Sequence, residues 1–370
     1  MPHAPEARPQ GSPRRLSATR TRAARNEDRN RQKRRINSDI FRFCSRLCKV
    51  HTNRSGGAMI QSQTSGQAVI GEPSRRGRIA SHLVRFVVKR WKKGDPPAVV
   101  RRARRVFGMP NFLAFLYERN LTIEKLDYPV CGEWLVPEDG ASSNVLLYFH
   151  GGGYVSCSPV THRPITTSLA RMAMCRVFSL DYRLAPEHPF PAAVDDATAA
   201  YLWLLQSGIP AARIALAGDS AGGGLVVATM LRLRQQKHPM PACAVCLSPW
   251  VDLTGFGKYR NADSCSMFKP DDVTSFAKVY LGQASPQSPE ASPVLADLRG
   301  LPPLLIQASS TELLFTDAVR LHEKAGEYGV KCQLHVYPGL PHVWQIFIGT
   351  VPEARSALEE IAGFVNESFD

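Results

Sequence analysis

The sequence predicts an α/β protein built on a mostly parallel sheet with helices on both faces. Three observations carry this. From residue 121 onward, apolar runs of strand length alternate with segments of helix length almost to the C-terminus. Most of these runs, Val145-Leu146-Leu147-Tyr148-Phe149 among them, are apolar throughout, as in strands buried on both faces. The third is Gly218-Asp219-Ser220-Ala221-Gly222, which joins one such run to a helix and has glycine two residues before and two after its serine.

Residues 1–74 differ from the rest. They are rich in Arg, Ser, Gln, Pro and Gly, and composition predicts disorder over most of them. Residues 1–110 hold 27 Lys and Arg against 6 Asp and Glu, so the whole-chain charge of +14 is a basic segment joined to a slightly acidic body. Such a segment suits an arm that contacts anionic surfaces, an Arg-rich targeting peptide, or an upstream extension with the working start at Met59. The last is preferred, because the downstream chain reads as complete without it. No nucleic-acid partner is expected for the body. Nine scattered cysteines, an odd number, point to free thiols in a reducing compartment, and with no secretory signal this suggests a cytoplasmic location. Cys243-Ala244-Val245-Cys246 lies in an apolar run with no second pair, so it reads as core thiols.

Residues 75–120 form a second region. Ile79, Leu83, Phe86, Val87 and Trp91 recur at helical spacing among Arg85, Lys89, Arg90, Lys92 and Lys93. A second run holds Val99, Val100, Ala103, Val106 and Phe107, and Asp95-Pro96-Pro97 separates the two. The expectation is two basic amphipathic helices packed on the body by their apolar stripes, forming a cap over the site. Residues 121–370 then give strands at 121–128, 133–136, 145–149, 175–180, around Ile214, 242–247, 303–308 and 332–337. Helices are expected at 164–174, 192–205, after Ser220, at 271–281 ended by Gly282, at 316–328 with Thr316 as N-cap, and at 353–365.

The serine turn carries the chemistry. A turn this sharp lifts a hydroxyl above the sheet at a helix start, whose amides favour negative charge. A glycine-rich turn without chemistry would look the same in isolation; its partners distinguish it. His150-Gly151-Gly152-Gly153 directly follows a strand and frees backbone amides to face a developing oxyanion, together with the amide of Ala221. A serine needs a base and the base an orienting acid. His342 lies in the loop after the strand 332–337, at the carboxyl end of the sheet, whereas His150 reads as a structural brace of the glycine loop, and His162, His188, His238, His322 and His335 fall on helices, turns or strand interiors. Glu312 and Asp317 both lie between the strand 303–308 and His342. Glu312 is preferred, since it sits in the loop itself, and a carboxylate in the first turn of a helix is favoured for stability alone.

These residues resemble the hormone-sensitive-lipase-like branch of the α/β-hydrolase superfamily, bacterial carboxylesterases with an HGGG motif. The matching stretches are His150–Gly153, Asp181–Ala193, Gly218–Gly223 and Gly339–Trp344, in order, within residues 75–370. The resemblance implies an α/β-hydrolase fold with an eight-stranded, mostly parallel sheet, a cap from the N-terminal helices and residues 255–290, and oxyanion amides from Gly152 and Gly153 with Ala221. It makes the Tyr182–Ala193 stretch a structural turn. One position departs: many relatives have Asp-Pro-Leu where this chain has Glu312-Leu313-Leu314.

The expected activity is therefore hydrolysis of small carboxylic esters with short to medium acyl chains. Ser220 is the nucleophile, His342 the base and Glu312 the acid, without cofactor or metal. A lactone or amide substrate would use the same groups, and a non-catalytic small-molecule-binding protein on this fold would be expected to lack one of them. The sequence leaves a homodimer through the last strand and helix open.

Overall fold

A ten-stranded sheet forms the centre of the computed structural model, which describes residues 60–61, 66–89, 95–108, 118–257 and 260–369. In chain order the strands are β1 (Ile60–Gln61), β2 (Gln67–Val69), β3 (Leu121–Leu126), β4 (Gly132–Pro137), β5 (Val145–Phe149), β6 (Arg176–Leu180), β7 (Ile214–Asp219), β8 (Cys243–Leu247), β9 (Leu304–Ser309) and β10 (Cys332–Tyr337). They lie side by side as β1-β2-β10-β9-β8-β7-β5-β6-β4-β3. The seven from β2 to β6 are parallel, and β1, β4 and β3 add antiparallel edges.

All eight expected strands are present, and the count of eight is corrected to ten by β1 and β2. These fall inside the segment that composition sets apart, and runs of two or three residues carry no periodicity to detect. β2 lies parallel to β10, pairing Gln67, Ala68 and Val69 with Leu334, His335 and Val336. The last strand is therefore covered, and is not an edge open to a second copy. The expectations for residues 1–59, including Cys44, Cys48 and the start at Met59, lie outside the described residues, as do those for Arg90, Trp91, Lys92, Lys93 and the end of the cap region at 109–117.

The all-apolar strands feed two cores. Val145, Leu147 and Phe149 join one with α4 (Ala192–Gln206), α5 (Ala221–Gln235) and α7 (Phe315–Glu327). Leu146 and Tyr148 join the other with α3 (Pro159–Met172) and α8 (Pro352–Phe369). Cys243 and Cys246 fall on opposite faces of β8, so they are core thiols, and burial pushes Cys243 up to about 11. No helix among the described residues is long and apolar enough to cross a membrane.

Three helix limits differ from expectation. α3 starts at Pro159 rather than Pro164, because Thr161 Oγ1 accepts the Ser158 amide at 3.0 Å and opens the helix a turn earlier. α7 starts at Phe315, which puts Thr316 inside the first turn and not at the cap. α8 runs on to Phe369.

The largest correction concerns α1 (Arg75–Val88). Its expected packing stripe of Ile79, Leu83, Phe86 and Val87 faces outward. The inner face is Gly77, Ala80, Val84 and Val88. At Gly77 the helix comes so close that a Cβ would lie 2.6 Å from Leu340 Cδ2. Polar contacts hold α1 in this orientation: Ser74 Oγ donates to Glu353 Oε2 at 3.0 Å, Ser81 Oγ to the Gly339 carbonyl at 2.8 Å, and Lys89 Nζ to those of Ala262 and Cys265 at 2.6 and 2.8 Å. The second helix, α2 (Pro96–Val106), opens as expected, with Asp95 Oδ1 accepting the Ala98 amide at 2.8 Å. Arg104 donates to the carbonyls of Val155 and Ala185 and to both oxygens of Glu187, tying α2 to the turn after β6.

Candidate active site

Ser220 stands between β7 and α5 with φ 53° and ψ −118°, a left-handed conformation that an L-residue adopts only under constraint. Its amide donates to the Leu247 carbonyl at 2.8 Å, and its own carbonyl accepts from Trp250 at 2.8 Å, so two neighbouring loops hold the strain. The glycine at 222 is a packing necessity. A Cβ there would lie 2.0 Å from the Phe149 carbonyl oxygen of β5, and backbone cannot yield.

His342 lies in the loop after β10. Its Nδ1 is 2.6 Å from Glu312 Oε2, with both side chains almost fully buried. A carboxylate only accepts, so Nδ1 carries a proton, and in the neutral imidazole Nε2 is the nitrogen left with a lone pair. Nε2 has no protein partner among the described residues. Phe268 packs against the ring in a T-shaped arrangement at a centroid distance of 5.3 Å. Glu312 is fixed in turn: its Oε1 accepts the Ser309 amide at 3.1 Å, and Asn261 Nδ2 donates to its carbonyl at 2.9 Å. Ser309 Oγ donates to the Leu340 carbonyl at 2.7 Å and so links the loops of Glu312 and His342.

Asp317, the other candidate acid, is elsewhere. Its Oδ2 accepts the amides of Val251 and Asp252 at 3.0 and 2.9 Å. Burial first, then the neighbouring Asp252 charge, push its carboxyl well above the ordinary carboxylate value. It braces a turn and does not reach the imidazole hydrogen bond.

Gly152 and Gly153 follow β5 with φ 110° and 64°. The Gly152 carbonyl turns away, accepting from Val155 N, Ser156 N and Ser156 Oγ, and a Cβ at Gly152 would lie 2.2 Å from the Ser156 carbonyl oxygen. The amide of Ala221, first residue of α5, is among those at a helix start without an intrahelical partner. His150 braces the loop, as expected. Its Nδ1 donates to the Gly151 carbonyl at 2.7 Å, its ring stacks on Tyr182 at 4.3 Å, and burial, then the nearby His162, bring its imidazole down to about 3.

Sequence reasoning passed over Asp219. Its Oδ1 accepts Tyr148 Oη at 2.7 Å and the Gly151 amide at 3.0 Å, and its Oδ2 meets His162 Nε2 at 3.3 Å. Burial alone would raise this carboxyl. The His162 charge and hydrogen bond, with the Tyr148 hydroxyl, hold it below its ordinary value. The available signal was an acid next to the serine in a buried turn, where a charge needs built partners. His162, read as an unremarkable helix residue, is one of them.

Ser220, His342, Gly152 and Gly153 line one cavity of about 420 Å³, within the range usual for small-molecule sites. Ser156, Thr161, His162 and Asp219 also line it, and its apolar walls include Val84, Val88, Val106 and Phe107 from the N-terminal helices and their exit, and Met267, Phe268, Val273 and Phe276 from the segment that includes α6 (Pro270–Leu281). Only Val106 and Phe107 among these apolar walls stand out in the sequence, as part of a helix pattern; contacts made across more than a hundred residues leave no local periodicity.

Comparison with known proteins follows the same lines. Residues 146–346 match the family described as alpha/beta hydrolase fold. The chain is 44% identical over 237 residues to an acetyl-hydrolase of Streptomyces hygroscopicus, spanning 63% of this chain and 78% of that one. Among solved structures, an esterase from the bacterial hormone-sensitive lipase family is 42% identical with a TM-score of 0.67, over 76% of this chain and all of that one. EstE5, soaked with p-nitrophenyl butyrate, is 34% identical with a TM-score of 0.73, over 80% and 99%.

Proposed function

The chain belongs to the α/β-hydrolase fold family, in its hormone-sensitive-lipase-like esterase branch, and from that premise we propose that it is a serine carboxylesterase acting on small esters through an acyl-enzyme. Ser220 attacks the ester carbonyl. His342 Nε2 takes the serine proton and passes it to the leaving alcohol, while Glu312 holds the imidazole and stabilises its cation. The amides of Gly152, Gly153 and Ala221 receive the oxyanion. Water, activated by the same imidazole, then releases the acid. α1, α2 and residues 255–290 act as a cap whose apolar side chains take the acyl chain.

One observation carries this reading. A strained serine and a buried histidine border the same cavity; the histidine's Nδ1 is on a carboxylate and its Nε2 is without a protein partner. The test is hydrolysis of p-nitrophenyl esters from acetate to palmitate by the full chain and by Ser220→Ala. Turnover of the shorter esters, lost in the variant and declining at long acyl chains, is expected. Serine-dependent turnover of a lactone or anilide, with none of any ester, would move the reaction to those bonds.

A further inference from the structure

We propose that Lys89 is a positioning residue for the ester hydrolysis: its ammonium fastens residues 261–268, and that segment sets the positions of Glu312 and His342. The inference rests on the serine-esterase reading and adds a residue through which α1 acts on the triad. Lys89 stands at the end of α1, and its Nζ donates to the carbonyls of Ala262, Cys265 and Asp263 at 2.6, 2.8 and 3.3 Å. An ammonium has three N–H donors, and three carbonyls of one turn meet them. Arg85 Nη1, one helical turn earlier, donates to the Asp263 carbonyl at 2.7 Å. A basic residue at a helix end ordinarily serves that helix's own last carbonyls. Here the ammonium reaches a segment far along the chain instead. Burial first, then the Arg85 charge, hold its amine below the ordinary lysine value, so the charge is placed here against its solvation.

The same segment meets the triad. Asn261 Nδ2 donates to the carbonyls of Ser310 and Glu312, each at 2.9 Å, and Ser264 Oγ donates to that of Thr311 at 3.3 Å. The Asn261 carbonyl accepts the Cys265 amide at 2.8 Å. The turn that Lys89 grips and the side chain that grips the Glu312 loop are therefore one hydrogen-bonded unit. Further on, Met267 and Phe268 enter the cavity wall, and Phe268 packs on the His342 ring at 5.3 Å. One segment thus bears on the acid through Asn261 and on the base through Phe268. Ser220 is held separately, by the Leu247 carbonyl and the Trp250 amide. Releasing Lys89 would let the acid and base shift relative to the serine while the cavity keeps its apolar walls. That is a loss of alignment, which lowers kcat, and not of ester binding, which would raise KM.

The test measures kcat and KM on p-nitrophenyl butyrate, with melting temperatures, for the full chain and its variants. Lys89→Met keeps the apolar stem and loses the charge and donors; kcat should fall about 10-fold with KM within about 2-fold of the parent. Lys89→Arg keeps a charge and N–H donors and should hold kcat within about 3-fold of the parent. Ser74→Ala removes the N-cap of α1 and its hydrogen bond to Glu353, at the other end of the helix; it should lower the melting temperature and leave kcat as in the parent. Asn261→Ala should also cost about 10-fold in kcat. Because Lys89 acts through the segment that carries Asn261, Lys89→Met/Asn261→Ala should cost about 10-fold as well, and not the roughly 100-fold of independent sites. Parental kcat in Lys89→Met, or a rise in KM alone, overturns the proposal. So do multiplying losses in the double variant, and an arginine variant as slow as the methionine one. Equal slowing by Ser74→Ala overturns it too, since the effect would then belong to the helix and not to the latch. Failure of the esterase reading is read separately, as absence of Ser220-dependent turnover of this ester by the parent.

Discussion

At the scale of single residues, the account rests on which carboxylate does what. Glu312 meets His342 and Asp219 holds the glycine loop, so their amide variants should fail differently. Glu312→Gln keeps the shape, but its single remaining acceptor cannot serve both the Ser309 amide and Nδ1–H and its charge is gone, so kcat should fall by about 10³- to 10⁴-fold with KM little changed. Asp219→Asn removes the charge and puts an NH2 either where Tyr148 and the Gly151 amide donate or where His162 Nε2 lies, so one side of the network loses its acceptor. As a positioning residue it should cost about 10- to 100-fold in kcat, again with little change in KM. Steady-state kinetics on p-nitrophenyl butyrate separates the two, and a variant of Glu312 no worse than that of Asp219 would contradict the assignment. His150 sets a pH dependence of stability. Its folded value of about 3 lies below the ordinary 6.5, so the unfolded chain takes up a proton that the folded chain refuses. Stability is therefore complete above about pH 6.5 and falls toward pH 3, by about 1.4 kcal/mol per unit from this group. Asp219, depressed in the folded state, adds a further loss only below its unfolded value of about 3.9. Asp317, raised in the folded state, works in the opposite sense in both proteins, so the measurement is the difference: between neutral pH and about 4.5 the parent should lose melting temperature relative to His150→Gln.

At the scale of elements, two glycines should respond in opposite ways. Gly222→Ala forces a methyl to 2.0 Å from the Phe149 carbonyl and should abolish folding or activity outright. Gly363 lies exposed inside α8 with nothing near its missing Cβ, so Gly363→Ala should stabilise by about 0.5–1 kcal/mol. Chemical denaturation reads both. The elements also show what sequence can carry. Strands such as β5 and β7 are legible because burial on both faces leaves every residue apolar, and the serine turn because its glycines are sterically required. β1 and β2 are too short to leave a pattern. The stripe of α1 was visible, but its direction was not: a helix with apolar residues on two sides does not say which side faces the body, and the contacts that decide it come from Gly339, Leu340, Glu353 and residues 262–265.

At the scale of the whole molecule, a sheet that is parallel in its middle brings loops from distant parts of the chain to one end. Ser220 follows β7, Glu312 follows β9, His342 follows β10 and the glycine loop follows β5. Chain order therefore made Ser220, Glu312 and His342 readable before any geometry was known, while the Asp219 network and the cavity walls, which depend on three-dimensional contact alone, were not. The central claim is that Ser220 forms the covalent intermediate. The most direct measurement is incubation of the full chain with diethyl p-nitrophenyl phosphate, followed by peptide mapping by mass spectrometry. Attack by the serine oxygen forms the P–O bond and expels p-nitrophenolate, leaving an adduct that the site cannot readily hydrolyse. The account predicts one equivalent of p-nitrophenolate released, loss of esterase activity in step with it, and the diethylphosphoryl group on the peptide containing Ser220. Inactivation with the group on another residue, or full esterase activity retained by Ser220→Ala, would contradict it.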